Sequence, residues 1–372
     1  MRILMLSSVE HQSGSGLRFR GIAGALARRG HDVHLLEPVP GGTEPETPPG
    51  VRRRACPRLP VRPELQSPLW LAHGMAAARQ VRPDVVYALK PLPNAWLPAA
   101  WAGRGGARVA VDFDDLDHAY YPRGPVRALV EHFFRAAARD ARDATCHNDA
   151  MRDLLTRLRG EGREPVWVEQ AVEVERFSEL KADPQLRARL GLGDGPVLLY
   201  AGHLGPASDL GALLPALAPI AAERPGARLL VVGDGRARPG LEAEAARVLP
   251  AGFVVFAGAV PHREVGRYYA LADVALGYLR DTEANRYRAS IKIREAIAAG
   301  VPAVATRLPD SERLASFLRL AEPGEGEFVA ALRSELAEPS RDRARAGAEA
   351  LRREATFDAA VTEIAARWEE GA

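Results

Sequence analysis

Short apolar runs alternate along this chain with longer stretches in which Ala, Arg and Leu recur at helical spacing. In the first half the runs are RILMLSS (2–8), DVHLLEP (32–38), DVVYALK (84–90), RVAVDFD (108–114), DATCHN (143–148) and PVWVEQ (165–170). In the second they are PVLLYAG (196–202), RLLVVGDG (228–235), FVVFAG (253–258), DVALGYL (273–279) and PAVAT (302–306). Continuous apolar runs separated by helices predict βαβ units, in which parallel strands are buried by helices on both faces. The fold class expected is therefore α/β, with two doubly wound, Rossmann-like parallel-sheet domains in succession. The stretch EVERFSELKADPQLRARLGLGDG (173–195) is charged, carries a proline and ends in a Gly-Asp-Gly turn, so it reads as the linker. This gives a first domain over 1–178 and a second over 190–352. The final helix, 355–372, is expected to cross back onto the first domain.

Composition narrows the function classes. A chain of 372 residues accommodates two domains, and 47% hydrophobic with 26% charged residues is an ordinary folded composition. Lys plus Arg is 50 against 48 for Asp plus Glu, and a net charge of +2 creates no field that would gather nucleic acid or an anionic membrane. Nucleic acid is therefore not an expected partner. Only Cys56 and Cys146 are present, which excludes a disulfide framework and multi-cysteine metal sites. RILMLSSV reads as a first strand, and the apolar segment 210–222 is broken by Pro215 and Pro219, so no membrane span is expected. The reading is a cytoplasmic protein, compatible with peripheral membrane contact and silent on oligomeric state. Segment 40–60 is rich in Pro and Gly and reads as a loop, with Arg52, Arg53 and Arg54 in a solvated turn.

Ligands of open parallel sheets collect at the carboxyl ends of strands, where helix N-termini aim N–H groups at anions. Gly14, Ser15 and Gly16 form such a turn after the first strand, suited to close approach of a phosphate. Phe19 breaks the dinucleotide glycine spacing there, and Arg238 breaks it after Gly233-Asp234-Gly235. Lysine occurs only at Lys90, Lys181 and Lys292, and both Lys90 and Lys292 fall at strand or helix ends facing the expected ligand side. Ser290, Lys292 and Glu295 open a helix closed by Gly300 and followed by Pro302. VDFDDLDHAYY (111–121) gathers Asp112, Asp114, Asp115, Asp117 and His118 at a strand end, either as carboxylates for a divalent cation or as caps for the next helix. His147 and Asn148 follow the strand DATC.

The stretch S-x-K-x-x-E-x-x-A-x-G-x-P (290–302) resembles the nucleotide-sugar segment of glycosyltransferase family 4, the retaining GT-B enzymes. Similar matches in register are RGHDV (29–33), VEQAVEVERF (168–177), LLVVGDG (229–235), VFAGAVP (255–261) and YYALADVAL (268–276). The resemblance covers nearly the whole chain and implies two domains facing an interdomain cleft. It implies transfer of a sugar, with retention, from a nucleoside diphosphate sugar to a small-molecule, glycan or lipid-linked acceptor, without a metal or other cofactor. Glu295 would bind the ribose, backbone near Ala259 and Val260 the base, and Ile291 with Lys292 the diphosphate, while Gly233 lines the donor cleft and Gly16 approaches the donor. His203 stands where family members carry an arginine for phosphate, and Tyr287 where they commonly carry a second glutamate. His118 with Asp117 would position sugar and acceptor, and Lys90, Asp115 and His147 would lie on the acceptor side. Uridine is the first expectation for the base and guanosine the second. Other readings are another GT-B chemistry, epimerase or phosphorylase, and a non-catalytic nucleotide-sugar-binding module. A nicotinamide oxidoreductase ranks below them because of the broken glycine patterns.

Overall fold

The computed structural model describes residues 1–10, 13–39, 46–57, 63–178, 180–205 and 208–370. The chain divides into two compact units. Unit 1 comprises Met1–Ala171, Tyr287–Ala289 and Phe357–Ala372, and unit 2 comprises Val172–Arg286 and Ser290–Thr356.

Unit 1 is built on seven strands: β1 (Arg2–Ser7), β2 (Asp32–Val39), β3 (Val51–Pro57), β4 (Val85–Leu89), β5 (Arg108–Asp112), β6 (Asp143–Cys146) and β7 (Val166–Trp167). Their order is β3-β2-β1-β4-β5-β6-β7, every pairing parallel. Ile3, Leu4 and Met5 of β1 and Val86 through Leu89 of β4 are all fully buried. That burial on both faces is why these strands read as unbroken apolar runs. The segment Phe357–Trp368 belongs to this unit. Phe357, Val361, Ile364 and Trp368 are buried with Phe19 and Tyr87, and Trp368 Nε1 donates to Asp143 Oδ2 at 3.1 Å. The Phe357 ring lies where a Cβ on Gly21 would stand, 2.3 Å away, so this docking requires glycine at 21.

Unit 2 holds β8 (Val197–Ala201), β9 (Arg228–Val232), β10 (Val254–Gly258), β11 (Val274–Gly277), β12 (Ala303–Thr306) and β13 (Arg319–Ala321), ordered β10-β9-β8-β11-β12-β13 and again parallel. In each sheet the strand order reverses beside the unit's first strand, between β1 and β4 and between β8 and β11. Helices on opposite faces diverge at such points and leave a crevice at the carboxyl ends. The fold is two Rossmann-like parallel-sheet domains, one per unit.

Two local expectations are corrected. Arg52, Arg53 and Arg54 are not in a solvated turn: they sit in β3, in register with His34, Leu35 and Leu36 of β2. β3 is the sheet's edge, where charged residues are tolerated and discourage further pairing. Residues 40–45, in the loop expectation before it, lie outside the described residues. The charged stretch 173–195 packs into unit 2 through buried Val174, Phe177, Leu186 and Leu192, with Asp183 capping the helix Pro184–Arg189.

Candidate functional site

Unit 2 carries the more completely assembled constellation. The helix Ile291–Ala298 follows Ser290, whose side chain makes no capping hydrogen bond. Its start is anchored instead by Asp310, whose Oδ2 accepts Ser290 N–H at 2.8 Å and whose two oxygens take Arg294 Nη1 and Nη2 at 2.9 and 2.7 Å. Arg294 and Asp310 are both buried, and the fork geometry holds the helix against the sheet. The first-turn amides have no intrahelical acceptor and point along the helix dipole, a favourable place for an anion.

Lys292 leaves this first turn. Its Nζ lies 3.1 Å from Tyr200 Oη and 4.2 Å from the centre of that ring. Tyr200 in turn shares a 2.9 Å hydrogen bond with Ser208. Below the ammonium the ends of β8 and β9 come together: a Cβ on Gly233, at φ +141°, would stand 2.0 Å from Gly202 O, and one on Gly202, at φ +153°, would stand 3.4 Å from Lys292 Nζ. His203 is exposed just beyond β8, its Cε1 2.9 Å from where a Gly235 Cβ would be. Pro206 and Ala207 of the same loop lie outside the described residues.

Glu295 is one helical turn after Lys292, buried to 5% exposure. Its Oε1 lies 2.7 Å from His262 Nε2 and its Oε2 accepts the Tyr269 hydroxyl at 3.1 Å. The same hydroxyl lies 3.0 Å from the Lys292 carbonyl. Burial, then the Glu295 charge, pushes the Tyr269 phenol well above its ordinary pKa, so it remains a donor. Ala259, exposed, and Val260, half-buried, follow β10 and lead into His262. Ile291 is half-buried against the unit 2 core. Thus Ile291, Lys292, Glu295, His203, Gly233, Ala259 and Val260 all belong to one end of the six-stranded sheet. Tyr287 does not: it groups with unit 1 and packs against the apolar cluster there that holds Phe113 and Phe134.

In unit 1, Ser13 Oγ accepts the Gly16 N–H at 3.0 Å, so the expected anion-facing amide is already capped by the chain. The Asp-rich segment is divided between two networks. Asp112 is fully buried, paired with Arg18 and accepting from Thr145 Oγ1 at 2.5 Å and Tyr87 Oη at 3.3 Å, a structural role inside the sheet. Lys90, at φ +61°, turns its ammonium into the remainder: it pairs with Asp115, with Asp117 Oδ1 at 3.0 Å and with Asp114 Oδ2 at 3.3 Å. Burial opposes that charge, but the three carboxylates hold the Lys90 pKa well above its ordinary value. Burial, with Asp115 adding and Lys90 opposing, pushes Asp117 up to about 6. Asp117 Oδ2 is buried with no hydrogen-bond partner. His118 is buried edge-on to Phe134, ring centres 5.4 Å apart, and His147 Nε2 lies 3.6 Å from Asp114 Oδ1. Lys90, Asp115, Asp117 and Asp114 with His147 therefore form one cluster, in which Lys90 is neutralised rather than offered to an anion. Among the described residues no group of three or more His, Cys, Asp or Glu is arranged to hold a metal ion.

Sequence reasoning missed His262, Tyr269, Arg294, Asp310 and Arg18. A helix i, i+4 spacing links Arg294 to Ser290, but nothing local announces that either histidine or tyrosine meets Glu295.

Comparison with known proteins identifies the family. The family description Glycosyl transferase 4-like domain matches residues 13–168, and Glycosyl transferases group 1 matches residues 195–338. A GDP-mannose-dependent alpha-(1-6)-phosphatidylinositol monomannoside mannosyltransferase of Mycolicibacterium smegmatis is 34% identical over 142 residues, 37% of this chain and 36% of that protein. The putative teichuronic acid biosynthesis glycosyltransferase TuaH of Bacillus subtilis is 29% identical over 171 residues, 46% of this chain and 41% of that protein. The chain thus matches well under half the length of these relatives. Sucrose-phosphate synthase from Thermosynechococcus elongatus superimposes with a TM-score of 0.78 at 18% identity, covering 100% of this chain and 99% of that one. HepE from Anabaena, solved with UDP and glucose, gives 0.77 at 18% identity with 99% of each chain covered. No helix among the described residues is long and apolar enough to cross a membrane.

Proposed function

Since the chain belongs to the group 1 glycosyltransferases of GT-B fold, we propose that it transfers a sugar from a nucleoside diphosphate sugar to an acceptor hydroxyl. The observation that carries this reading is one helix presenting Lys292 above the Gly202–Gly233 pair and, a turn later, the buried Glu295 carboxylate. An ammonium and first-turn amides suit a diphosphate, and a carboxylate suits a ribose diol, so the two ends of one nucleotide are matched by residues three positions apart.

In this mechanism Lys292, the amides at Ile291 and the exposed His203 stabilise the departing diphosphate, and electrostatic stabilisation of the leaving group supplies most of the rate. Transfer proceeds with retention: the leaving phosphate oxygen takes the acceptor proton, and His118 and Asp117 position the reacting groups rather than exchange protons. The reaction is proposed to need no metal, in keeping with unit 1 carboxylates that are engaged by Lys90 and Arg18. The donor base is uridine first and guanosine second, since one similar structure holds UDP and one relative is named GDP-mannose-dependent. The acceptor is a glycan, small molecule or lipid-linked sugar, met in the cytoplasm and, for a lipid, at a membrane surface. Donor binding without transfer is a second reading, favoured by Tyr287 packing in the unit 1 core where a donor-sugar glutamate is common.

A thermal-shift screen over nucleoside diphosphates and their sugars tests the site: at least one should stabilise the protein, and Glu295→Ala should remove that response. An unchanged response in Glu295→Ala overturns the assignment. Proton NMR of the product should show the donor's anomeric configuration, and inversion would refute the mechanism. Activity should survive chelation by EDTA, and binding with no turnover over a broad acceptor panel would select the second reading.

A further inference from the structure

We infer that His262 is the positioning residue that fixes the Glu295 carboxylate for a ribose diol, and so sets discrimination between ribo- and 2′-deoxyribonucleoside diphosphates. The inference rests on the reading of Glu295 as the ribose ligand. A carboxylate has about four lone-pair directions. His262 and Tyr269 take one on each oxygen. One direction per oxygen remains, which is what two vicinal hydroxyls require, and holding both oxygens fixes the carboxylate plane.

Both donors are also packed against a shared ring. Phe177 stands edge-on to both rings, 6.3 Å from His262 and 5.7 Å from Tyr269 between centres. Tyr269 is the interior half of the clamp, 1% exposed. His262 is the outer half, with its side chain 25% exposed and with Ala259 and Val260 just before it in the chain. Without His262 the carboxylate loses its fixed plane. A ribose would then be bound by one hydroxyl at a time, and removing the 2′-hydroxyl would cost little.

Calorimetric titration of the full chain tests this, with UDP and GDP as probes, followed by the 2′-deoxy form of whichever binds more tightly. The wild type is expected to prefer the ribonucleotide by about tenfold or more, the size of one good hydrogen bond. His262→Ala should weaken ribonucleotide binding by about tenfold and bring the two affinities within about threefold. His262→Gln, whose side-chain N–H reaches toward the carboxylate, should restore most of the preference. If His262→Ala fails to fold by circular dichroism, His262→Asn takes its place, being polar but too short for the contact. Full wild-type discrimination in the Ala or Asn variant overturns the inference, while loss of binding in Glu295→Ala leaves the ribose reading intact. Failure of the wild type to bind either nucleotide, or unchanged binding in Glu295→Ala, overturns both.

Discussion

The Lys292 ammonium rests against Tyr200, 3.1 Å from its hydroxyl and 4.2 Å from its ring centre, directly above the close approach of Gly202 and Gly233. The contact uses the ring's negative face and the hydroxyl oxygen together, which preorganises a single charge at the sheet's carboxyl end. Lys292→Ala should therefore lower kcat by about 100-fold or more, the range seen when one preorganised electrostatic group is lost. Tyr200→Phe, which keeps the ring face, should cost less than about tenfold. Steady-state kinetics with the donor found by screening would check both, and equal losses would argue against a charge held mainly by the ring.

Gly233 should not tolerate a side chain. Its φ of +141° disfavours any L-residue, and a Cβ would collide with Gly202 O at 2.0 Å. Gly233→Ala is expected to destabilise the protein by more than about 2 kcal/mol in urea unfolding, with donor binding also lost. A variant as stable as the wild type would mean that β8 and β9 separate easily.

The Arg294–Asp310 pair should be structural rather than catalytic. Asp310→Ala removes the carboxylate that takes both Nη atoms of a buried guanidinium and frees the Ser290 amide, at a cost of about 3–5 kcal/mol. Asp310→Asn should cost less, because it still accepts at one oxygen. Denaturant titration of the two variants distinguishes these outcomes.

Asp117 should give the stability a definite pH dependence. Its pKa rises from 3.8 to about 6 on folding, so the unfolded chain releases that proton first. The group therefore favours the folded state below pH 4, and that contribution is lost as the pH rises toward 6, amounting to on the order of 2–3 kcal/mol. Subtracting the stability profile of Asp117→Asn from that of the wild type should isolate a decline confined to that interval. A flat difference would show that Asp117 stays ionised throughout.

The apolar runs revealed nearly every strand because burial on both faces of a parallel sheet leaves a strong local signature. β3 escaped because it is an edge strand, carrying Arg52 to Arg54 on a backbone that needs only one neighbour. Lys292 and Glu295 were legible because the constraint joining them is one turn of helix. Gly16 was plausible from its turn, but the Ser13 cap that occupies its amide depends on the rotamer the helix start selects. Lys90 looked like a cation awaiting an anion, and only the folded segment after β5 brings three carboxylates around it.

By itself the sequence determined two parallel-sheet domains and a helix bearing a lysine and a glutamate one turn apart, because periodicity and helical turns are short-range physics. The tertiary structure alone decided what those groups touch. Glu295 meets His262 across 33 residues and Asp117 meets Lys90 across 27. Such meetings follow from strand order and burial, which within each unit bring distant loops to the carboxyl end of its sheet and favour a partner for a buried charge.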